Sequence, residues 1–427
     1  MNPYLTLGNK EPWRADRYYG RVDSVEVIDN QNLETLIQLD AVAADSFDVE
    51  LFHGVPFTGV MERLPLCVLE FSTLNVPGGL QNYIRDAAQP GTWLQVQRAP
   101  PSPTALDVDY YPGLFADGVT LPSNITVVDE KLALALSAAF TMNDLPDGDE
   151  ATIASRLNTI PAADFITVFD VGQGNLNALW ESGGSARLYF DFGGGVTANK
   201  QTFPKNPGKL CFGLRPQVVL SHWDWDHWSS AGRFDEVLNS DWLVPRCDDP
   251  GPHHRALAWE LHRRRHLHIW PRRMTEYDGK YLKIQKCTGS GRNDSGLALI
   301  VHGEESTGSR REVLLTGDAA YDRIPEVTKK TPFGAVVASH HGAVVNSITE
   351  VKPTAKGGSL VYSVGMGNHF CHPRLQAELA YLQAGWVPNA TYSTSQRVRK
   401  RPNAIAIKVS SRPVLTRCGS CTAKLVC

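Results

Sequence analysis

A recurring pattern in the second half of the chain constrains its fold more than any other feature. Short apolar segments are each followed at once by a turn rich in Gly, Asp or His, and they occupy residues 165–169, 188–190, 218–220, 312–316, 335–338 and 360–364. Apolar runs of this length, bounded by turn residues, are typical of buried strands. Polar turns at successive strand ends are how a layered α/β fold presents a functional site. The sequence therefore predicts an α/β domain with its chemistry at the strand ends.

Length and composition limit function only broadly. The 427 residues indicate two or three domains, and 42% apolar and 20% charged residues are typical of a globular protein. A net charge of -3 gives no general attraction to nucleic acid or to membranes, so any such attraction must be local. The sequence has no apolar run of about 18 residues, and residues 1–20 lack the apolar core of a secretory signal. We therefore expect a cytoplasmic protein without a membrane partner.

The chain divides into three regions by content. Residues 1–160 contain no recognisable motif, and we predict an accessory domain of mixed α and β structure there, with the capacity to bind a protein partner. Residues 161–410 carry the repeated strand-and-turn pattern and form the second predicted domain. Residues 411–427 form a tail with three cysteines, Cys418, Cys421 and Cys427. A metal site, a disulfide and no role at all stay open for that tail.

Within residues 1–160, local patterns still predict some elements. Residues 25–28 and 66–71 are predicted strands, and residues 129–142 have the composition of a helix. The prolines between residues 100 and 122 predict a rigid, extended connection.

The densest group of metal-binding residue types follows the segment 218–220, where His222, Asp224, Asp226 and His227 occur within six residues. Imidazole nitrogen and carboxylate oxygen are ligands that suit zinc, manganese or iron. The turn contains no Lys or Arg to offset its carboxylates, so we expect it to bind a cation. The alternative is a polar surface loop without a ligand.

Later turns add further candidate residues. Asp318 ends one strand-like segment, the pair His340 and His341 follows the next, and Asn368 and His372 lie in the turn after that. The chain has no GxGxxG or GxxxxGK[ST] motif, which argues against a dinucleotide or P-loop site.

Taken in order, these motifs resemble those of the metallo-β-lactamase superfamily, and in particular the hydrolase domain of the competence protein ComEC and its soluble relatives. The matching elements are Phe169–Gly174, the Asp191 turn, the His222 to His227 motif, Asn293 with Ser295, Leu315–Asp318, Ser339–Gly342, Ser363–Gly365, Asn368 and His372 with Pro373. The resemblance covers residues 164 to 395. It implies an αβ/βα sandwich, with two central sheets and helices outside, and a hydrolase domain at residues 161–410.

The resemblance also implies a dinuclear metal site that holds Zn²⁺ or Mn²⁺. One metal is implied at His222 and Asp224, and the other at Asp226 and His227, with Asp318 bridging the two. Two departures from the superfamily pattern matter here. Asp224 stands where most members have a second His, and the third His motif does not occur between His227 and Asp318.

The same resemblance assigns roles to residues around the metals, some of them with alternatives. One of His340 and His341 is an implied ligand of the second metal, and the sequence does not choose between them. Asp191 is implied as a structural acid that holds the His-containing turn. Asn368 and His372 are implied to position the substrate or protonate a leaving group, although His372 also fits as a residue that starts a helix.

Two groups of residues are candidate substrate contacts. A basic segment at residues 253–273 includes the predicted phosphate-binding residues Arg263, Arg264 and Arg265, since the guanidinium fork matches phosphate. A solvated helix face is the alternative for this segment, and its histidines are the nearest in sequence that could complete the metal site. Trp223 and Trp225 flank the ligands and could line the pocket, stack on a base or pack against the sheet.

Function follows from the implied dinuclear site, in which two metals share a water and generate hydroxide at neutral pH. We predict a metal-dependent phosphodiesterase, most specifically a nuclease with DNA as substrate, and Asp226, Asn368 and His372 as its catalytic residues. The alternatives are a small-molecule hydrolase, of the phosphorylcholine-esterase or lactonase type, and a binding protein with an inactive site. The overall acidic balance favours the small-molecule hydrolase over the nuclease.

Overall fold

The structure is a computed structural model, and it describes residues 1–6, 15–29, 34–52, 60–73, 88–205, 207, 210–304, 310–355, 357–391 and 404–410. The chain forms two compact units: unit 1 contains residues 1–144 and 248–263, and unit 2 contains residues 145–247 and 264–427. The chain therefore passes between the units three times, which differs from the predicted single boundary near residue 160. The tail with Cys418, Cys421 and Cys427 lies outside the described residues.

The strands, in chain order, are β1 (Arg17–Asp29), β2 (Glu34–Ala43), β3 (Leu66–Ser72), β4 (Trp93–Arg98), β5 (Leu106–Tyr111), β6 (Val119–Val127), β7 (Phe165–Val168), β8 (Leu176–Trp180), β9 (Ala186–Phe192), β10 (Gln217–Val219), β11 (Trp242–Val244), β12 (Leu267–Ile269), β13 (Glu276–Asp278), β14 (Leu282–Lys286), β15 (Leu297–Glu304), β16 (Arg310–Leu315), β17 (Ala335–Val337), β18 (Gly358–Tyr362), β19 (Trp386–Ala390) and β20 (Ile405–Lys408). The described α-helices are α1 (Ala44–Phe52), α2 (Glu130–Phe140), α3 (Glu150–Leu157), α4 (Trp225–Trp228), α5 (Pro252–Arg263), α6 (Gly291–Asp294), α7 (Pro325–Thr328) and α8 (Leu375–Ala384). None of the helices described here combines the length and the apolar character needed to cross a membrane.

Unit 1 is built around a closed barrel with the strand order β1-β2-β3-β5-β6-β4, in which every neighbouring pair is antiparallel. Closure leaves no unpaired strand edge. Buried apolar side chains fill its interior, among them Val22, Leu39, Leu69, Val96 and Val108. The strands predicted at residues 25–28 and 66–71 lie within β1 and β3, and the predicted helix at 129–142 corresponds to α2.

The prediction of an extended connection at residues 100–122 is wrong. Strand β5 and the first part of β6 lie there, and Pro122 of β6 is opposite Asp107 of β5 in the barrel. A proline is tolerated in a strand where its missing N–H group is not needed for the ladder. Prolines alone therefore could not exclude strands from this segment.

A buried ionic contact attaches helix α5 to the barrel within unit 1. The carboxylate of Asp40 in β2 accepts hydrogen bonds from the backbone N–H of His253 and lies 2.5 Å from the Nδ1 atom of that residue. The Nδ1 atom of His254 is 3.3 Å from the other carboxylate oxygen. All three side chains are fully buried. Burial raises the pKa of Asp40, but His253 and His254 outweigh it and hold that pKa below its usual range.

Unit 2 contains two seven-stranded sheets, one ordered β12-β11-β10-β9-β8-β7-β20 and the other β13-β14-β15-β16-β17-β18-β19. Strands β9 to β12 are parallel to one another in the first sheet, and β16 to β19 are parallel in the second. The remaining neighbours are antiparallel. Parallel runs place the carboxyl ends of successive strands side by side, which is where polar turns can converge.

The two sheets share one apolar core. Val168, Phe190 and Val219 of the first sheet pack in the same buried cluster as Leu299 and Val313 of the second. A separate buried cluster covers the other face of the second sheet and includes side chains of α8. Sheets that pack face to face, with a helix outside, agree with the predicted αβ/βα sandwich. Helix α3 contributes Ile153 and Leu157 to the shared core, which explains why unit 2 begins before residue 160.

We expect Asp40→Ala to destabilise unit 1 by about 3 kcal/mol, because it leaves two buried histidines without their carboxylate. Since the folded pKa of Asp40 is lowered, the difference from wild type should be complete above about pH 4 and should shrink as the pH falls below that value. Urea unfolding at pH 7 and at pH 3 measures both effects.

Asp16→Ala is the matched control, because Asp16 pairs with Arg98 of the same unit and both side chains are exposed, at 86% and 41%. Exposed pairs contribute less than about 1 kcal/mol. Equal losses of stability in the two variants would contradict the role given to Asp40.

Candidate metal centre

The candidate metal-binding residues lie in turns that follow parallel strands of both sheets in unit 2. In the first sheet, Asp191 lies at the end of β9, and the turn after β10 carries the residues from His222 to His227. In the second sheet, Asp318 follows β16, and the pair His340 and His341 follows β17. The structure therefore brings together residues that are up to 119 positions apart in the sequence, from His222 to His341.

Asp318 is the centre of this cluster, and its side chain is only 2% exposed. Its Oδ1 atom is 3.0 Å from the Nε2 atom of His227 and 3.7 Å from that of His341. Its Oδ2 atom is 3.6 Å from the Nε2 atom of His340 and 3.8 Å from that of His222. Four imidazoles thus point their Nε2 atoms at one carboxylate.

Two further carboxylates complete the cluster. The Oδ2 atom of Asp226 is 3.1 Å from the Nε2 atom of His341, and its Oδ1 atom is 3.7 Å from that of His227. The Oδ2 atom of Asp224 is 3.2 Å from the Nε2 atom of His222. All predicted metal ligands are therefore neighbours, with donor atoms at the separations found around a shared cation, roughly 3.3 Å in a tetrahedral zinc shell.

The hydrogen bonding of these residues tests whether they fit a metal. The Nε2 atoms of His222, His227 and His341 and the Oδ1 atom of Asp318 are buried and have no hydrogen-bond partner. Buried polar atoms are nearly always satisfied, and orphaned nitrogen and oxygen donors that face one another are what a divalent ion would coordinate. The residues present therefore fit a divalent metal.

Residues behind the ligands fix their orientation. Asp191 accepts hydrogen bonds from the backbone N–H of Ser221 at 2.7 Å and from its hydroxyl at 2.9 Å, and it lies 2.9 Å from the Nδ1 atom of His227. The Nδ1 atom of His341 is 2.7 Å from the carbonyl oxygen of Ser363. These contacts direct each Nε2 atom towards the cluster. The predicted structural role of Asp191 is confirmed.

Glycines in neighbouring turns let the backbone of the His-containing turn approach closely. A Cβ atom at Gly193 would collide with the carbonyl group of Asp226. The carbonyl oxygen of Asp226 also accepts a hydrogen bond from the backbone N–H of Asn175 at 2.9 Å. The two glycine-rich turns found in the sequence therefore support the ligand turn rather than bind a ligand of their own.

Charge within the cluster is strongly balanced. Burial lowers the pKa of His227, but Asp318 and Asp191 outweigh it and raise that pKa well above its usual value. Burial raises the pKa of Asp318, but His227 and His340 outweigh it and lower that pKa well below its usual value. Each charge is thus stabilised by its neighbours of opposite sign.

One residue at the site was missed by sequence reasoning. Arg292 in α6 places its guanidinium 3.0 Å from the Oδ1 atom of Asp224, and its side chain is 13% exposed. The sequence carried a signal for it, because Arg292 immediately precedes Asn293 and Ser295 of the matching set. The positive charge beside Asp224 therefore comes from the Arg292 guanidinium in another turn, and residues 221–227 alone could not show it.

The turn after β18 contains Asn368 and His372. The side-chain amide of Asn368 donates to the carbonyl oxygens of Gly365 and His372, and its oxygen accepts from the backbone N–H of His372. Asn368 thus fixes the shape of this turn. His372 is 7% exposed, and its ring centroid is 5.5 Å from that of His340. Burial, together with His340 and His341, lowers the pKa of His372.

The two tryptophans beside the ligands are buried, which favours packing over contact with substrate. Trp223 is 1% exposed and donates its Nε1–H to the carbonyl oxygen of Pro245 at 2.8 Å, and Trp225 is 4% exposed. Neither ring offers a face to solvent for stacking. Contact with substrate stays a prediction for both tryptophans.

The basic segment at residues 253–273 does not form one continuous surface element. His253 and His254 contact Asp40 within unit 1, so they are not the missing metal ligands. Within the same unit, Arg263 pairs with Glu260 at 2.9 Å and with Glu62 at 3.1 Å.

The other two predicted phosphate contacts belong to unit 2. Arg264 donates to the side-chain oxygen of Asn239 at 3.2 Å. Arg265 has a positive φ of 64°. A role in phosphate binding stays a prediction for all three arginines.

No protein-family model matches the chain, and neither does any curated protein. Solved structures that are similar to this chain include Zn(2+)-bound PqqB from Methylobacterium extorquens, at 8% identity and a TM-score of 0.32. That match covers 53% of this chain and 97% of PqqB. A protein of unknown function from Enterococcus faecalis V583 matches at 10% identity and a TM-score of 0.26, over 41% of this chain and 50% of the other. A long form of RNase Z from yeast matches at 11% identity and a TM-score of 0.28, over 60% of this chain and 45% of the RNase Z chain. At these values the matches decide neither the reaction nor the substrate.

We expect Asp191→Asn to weaken metal binding by about 10–100-fold while the fold is kept, because an amide cannot replace the carboxylate at both Ser221 and His227. Equilibrium dialysis with Zn²⁺ or Mn²⁺ measures the affinity, and circular dichroism checks the fold. Asp235→Asn, at an exposed position outside the cluster, is the control. Unchanged affinity in Asp191→Asn would contradict this role.

Proposed function

We propose that the protein is a metal-dependent hydrolase of the metallo-β-lactamase fold, and that it cleaves phosphodiester bonds in DNA. The observation that carries the proposal is the set of buried, orphaned donor atoms around Asp318 at the strand ends of a two-sheet sandwich. The ordered motifs of the sequence support the assignment to the ComEC-like branch.

The proposed ligands are His222, Asp224, Asp226, His227, Asp318 and the His340–His341 pair. Bound Zn²⁺ or Mn²⁺ would supply a nucleophilic hydroxide at neutral pH and stabilise charge on the phosphoryl group. Asp191 and Ser363 orient the ligating imidazoles through their Nδ1 atoms. Arg292 holds Asp224 and adds positive charge beside it. Asn368 shapes the turn from which His372 contacts the substrate.

The strongest alternative is a small-molecule hydrolase of the phosphorylcholine-esterase or lactonase type. The contacts of Arg263 and Arg264 favour the small-molecule hydrolase. Their guanidinium groups already contact two carboxylates and one amide oxygen, and a polymer phosphate would need the same guanidinium groups. Unit 1 would serve as the accessory module that binds a protein partner. That role and a cytoplasmic location stay predictions.

Metal removal and Asp226→Ala test the hydrolase directly. We expect chelation to abolish hydrolysis, because it removes the cation that would stabilise the transition state, and Asp226→Ala to reduce hydrolysis by about 100-fold or more, because it removes a proposed ligand of that cation. The assay compares single-stranded, double-stranded and supercoiled DNA with bis-p-nitrophenyl phosphate, with Zn²⁺ or Mn²⁺ added. Asp235→Ala is the control. Turnover of the small ester alone would favour the small-molecule hydrolase, and turnover after complete metal removal would refute both candidates.

Changing Arg263, Arg264 and Arg265 together to Ala tests their contact with nucleic acid. If each neutralises a phosphate, DNA binding weakens and the slope of log K against log salt falls by about 0.9 for each lost contact. Fluorescence anisotropy at several salt concentrations measures the slope. Arg273→Ala, at a side chain that is 86% exposed, is the control. An unchanged slope would remove these residues from the DNA-binding surface.

A further inference from the structure

We propose that the adjacent histidines His340 and His341 bind different metal ions, one on each side of Asp318. His340 would complete the ion held by His222 and Asp224, and His341 would complete the ion held by Asp226 and His227. This inference rests on the proposed function, since it requires a dinuclear site.

The two carboxylate oxygens of Asp318 divide the four histidines into two pairs. Oδ1 is the oxygen near His227 and His341, at 3.0 and 3.7 Å. Oδ2 is the oxygen near His222 and His340, at 3.6 to 3.8 Å. If Asp318 bridges two ions through both of its oxygens, each oxygen would face one ion. The histidine that shares an oxygen with His222 therefore belongs to the ion of His222.

The backbone of the pair explains how neighbouring residues reach the same carboxylate. Successive side chains of an extended strand point to opposite faces. His340 and His341 instead have φ angles of 48° and 54°, in the left-handed region. The backbone N–H of His340 donates to the carbonyl oxygen of Gly317 at 3.2 Å, which ties this turn to the one that carries Asp318. The left-handed conformation is unfavourable for residues other than glycine, so the turn is held by its surroundings.

The superfamily pattern has a third His motif between His227 and Asp318, and this chain lacks it. The histidines that do occur there have other contacts, so His340 is the candidate for that ligand. Within unit 1, His253 and His254 contact Asp40, and the ring of His262 is 5.7 Å from that of Trp259. Within unit 2, the remaining three have carboxylate neighbours: Asp241 for His266 and His268, and Glu312 for His302. All six histidines lie in described residues.

The two halves of the site differ in exposure, which gives the inference a functional consequence. The side chain of His341 is 1% exposed and is anchored on Ser363, whereas that of His340 is 20% exposed. The ion of His341 would therefore have the more buried histidine ligand, and the ion of His340 the more accessible one. We expect the ion of His340 to exchange faster with the medium than the ion of His341.

The test is the number of metal ions bound by variants with Asn, a residue that tolerates the left-handed region. Wild type should bind two ions, and His340→Asn and His341→Asn one tightly each. Combining each of these changes with His222→Asn then identifies which ion each histidine binds. The double variant His222→Asn/His340→Asn should still bind one ion, because both changes affect the same one, whereas His222→Asn/His341→Asn should bind none.

Metal analysis after dialysis gives the count, and His369→Asn, an exposed residue of the turn after β18, is the control. Circular dichroism confirms that each variant is folded. Two ions in His340→Asn, one ion in wild type, or none in His222→Asn/His340→Asn would each overturn the inference and leave metal-dependent hydrolysis standing. No ion in wild type would overturn the proposed function together with the inference.

Discussion

The burial of negative charge at the strand ends is the constraint on which unit 2 depends. Asp318 and Asp191 are almost inaccessible to solvent, and an isolated carboxylate in such a place is strongly unfavourable. Hydrogen bonds from Ser221 offset this cost at Asp191, Arg292 lies beside the neighbouring Asp224 and, in the proposed function, divalent ions would offset it at Asp318. In the proposed function, metal binding and folding would be coupled, because the ion would satisfy atoms that the protein leaves without partners.

The sandwich turns this constraint into a site. Parallel strands of each sheet end in adjacent turns, so that residues from distant parts of the sequence meet without long loops. Gly193 lets the ligand turn pack directly on its neighbour, and the contacts of Asp191 set the ring orientation of His227. The arrangement is rigid where the donor atoms are, which is what precise coordination requires.

The sequence predicts this part of the molecule well because strand-end motifs are local. The set from His222 to His227, Asp318 and the role of Asp191 could all be found from short patterns. Arg292 was missed although it precedes Asn293 of the matching set, because its contact with Asp224 exists only after two turns meet. The barrel of unit 1 was missed for a similar reason: its pairing is nonlocal, and the prolines near residue 122 suggested a connection. The choice between His340 and His341 required distances to individual oxygen atoms.

The path of the chain has a practical consequence for studying the two units apart. Residues 248–263, which include helix α5, belong to unit 1, but the segments before and after them, 145–247 and 264–427, belong to unit 2. A fragment that starts at residue 145 would carry α5 without Asp40, and would expose two histidines that are otherwise fully buried. A fragment that ends at residue 144 would leave Asp40 without His253 and His254. Neither unit can be obtained by a single cut. A truncation or gene fusion must therefore keep the two points where the chain enters and leaves residues 248–263, or rejoin the chain around helix α5.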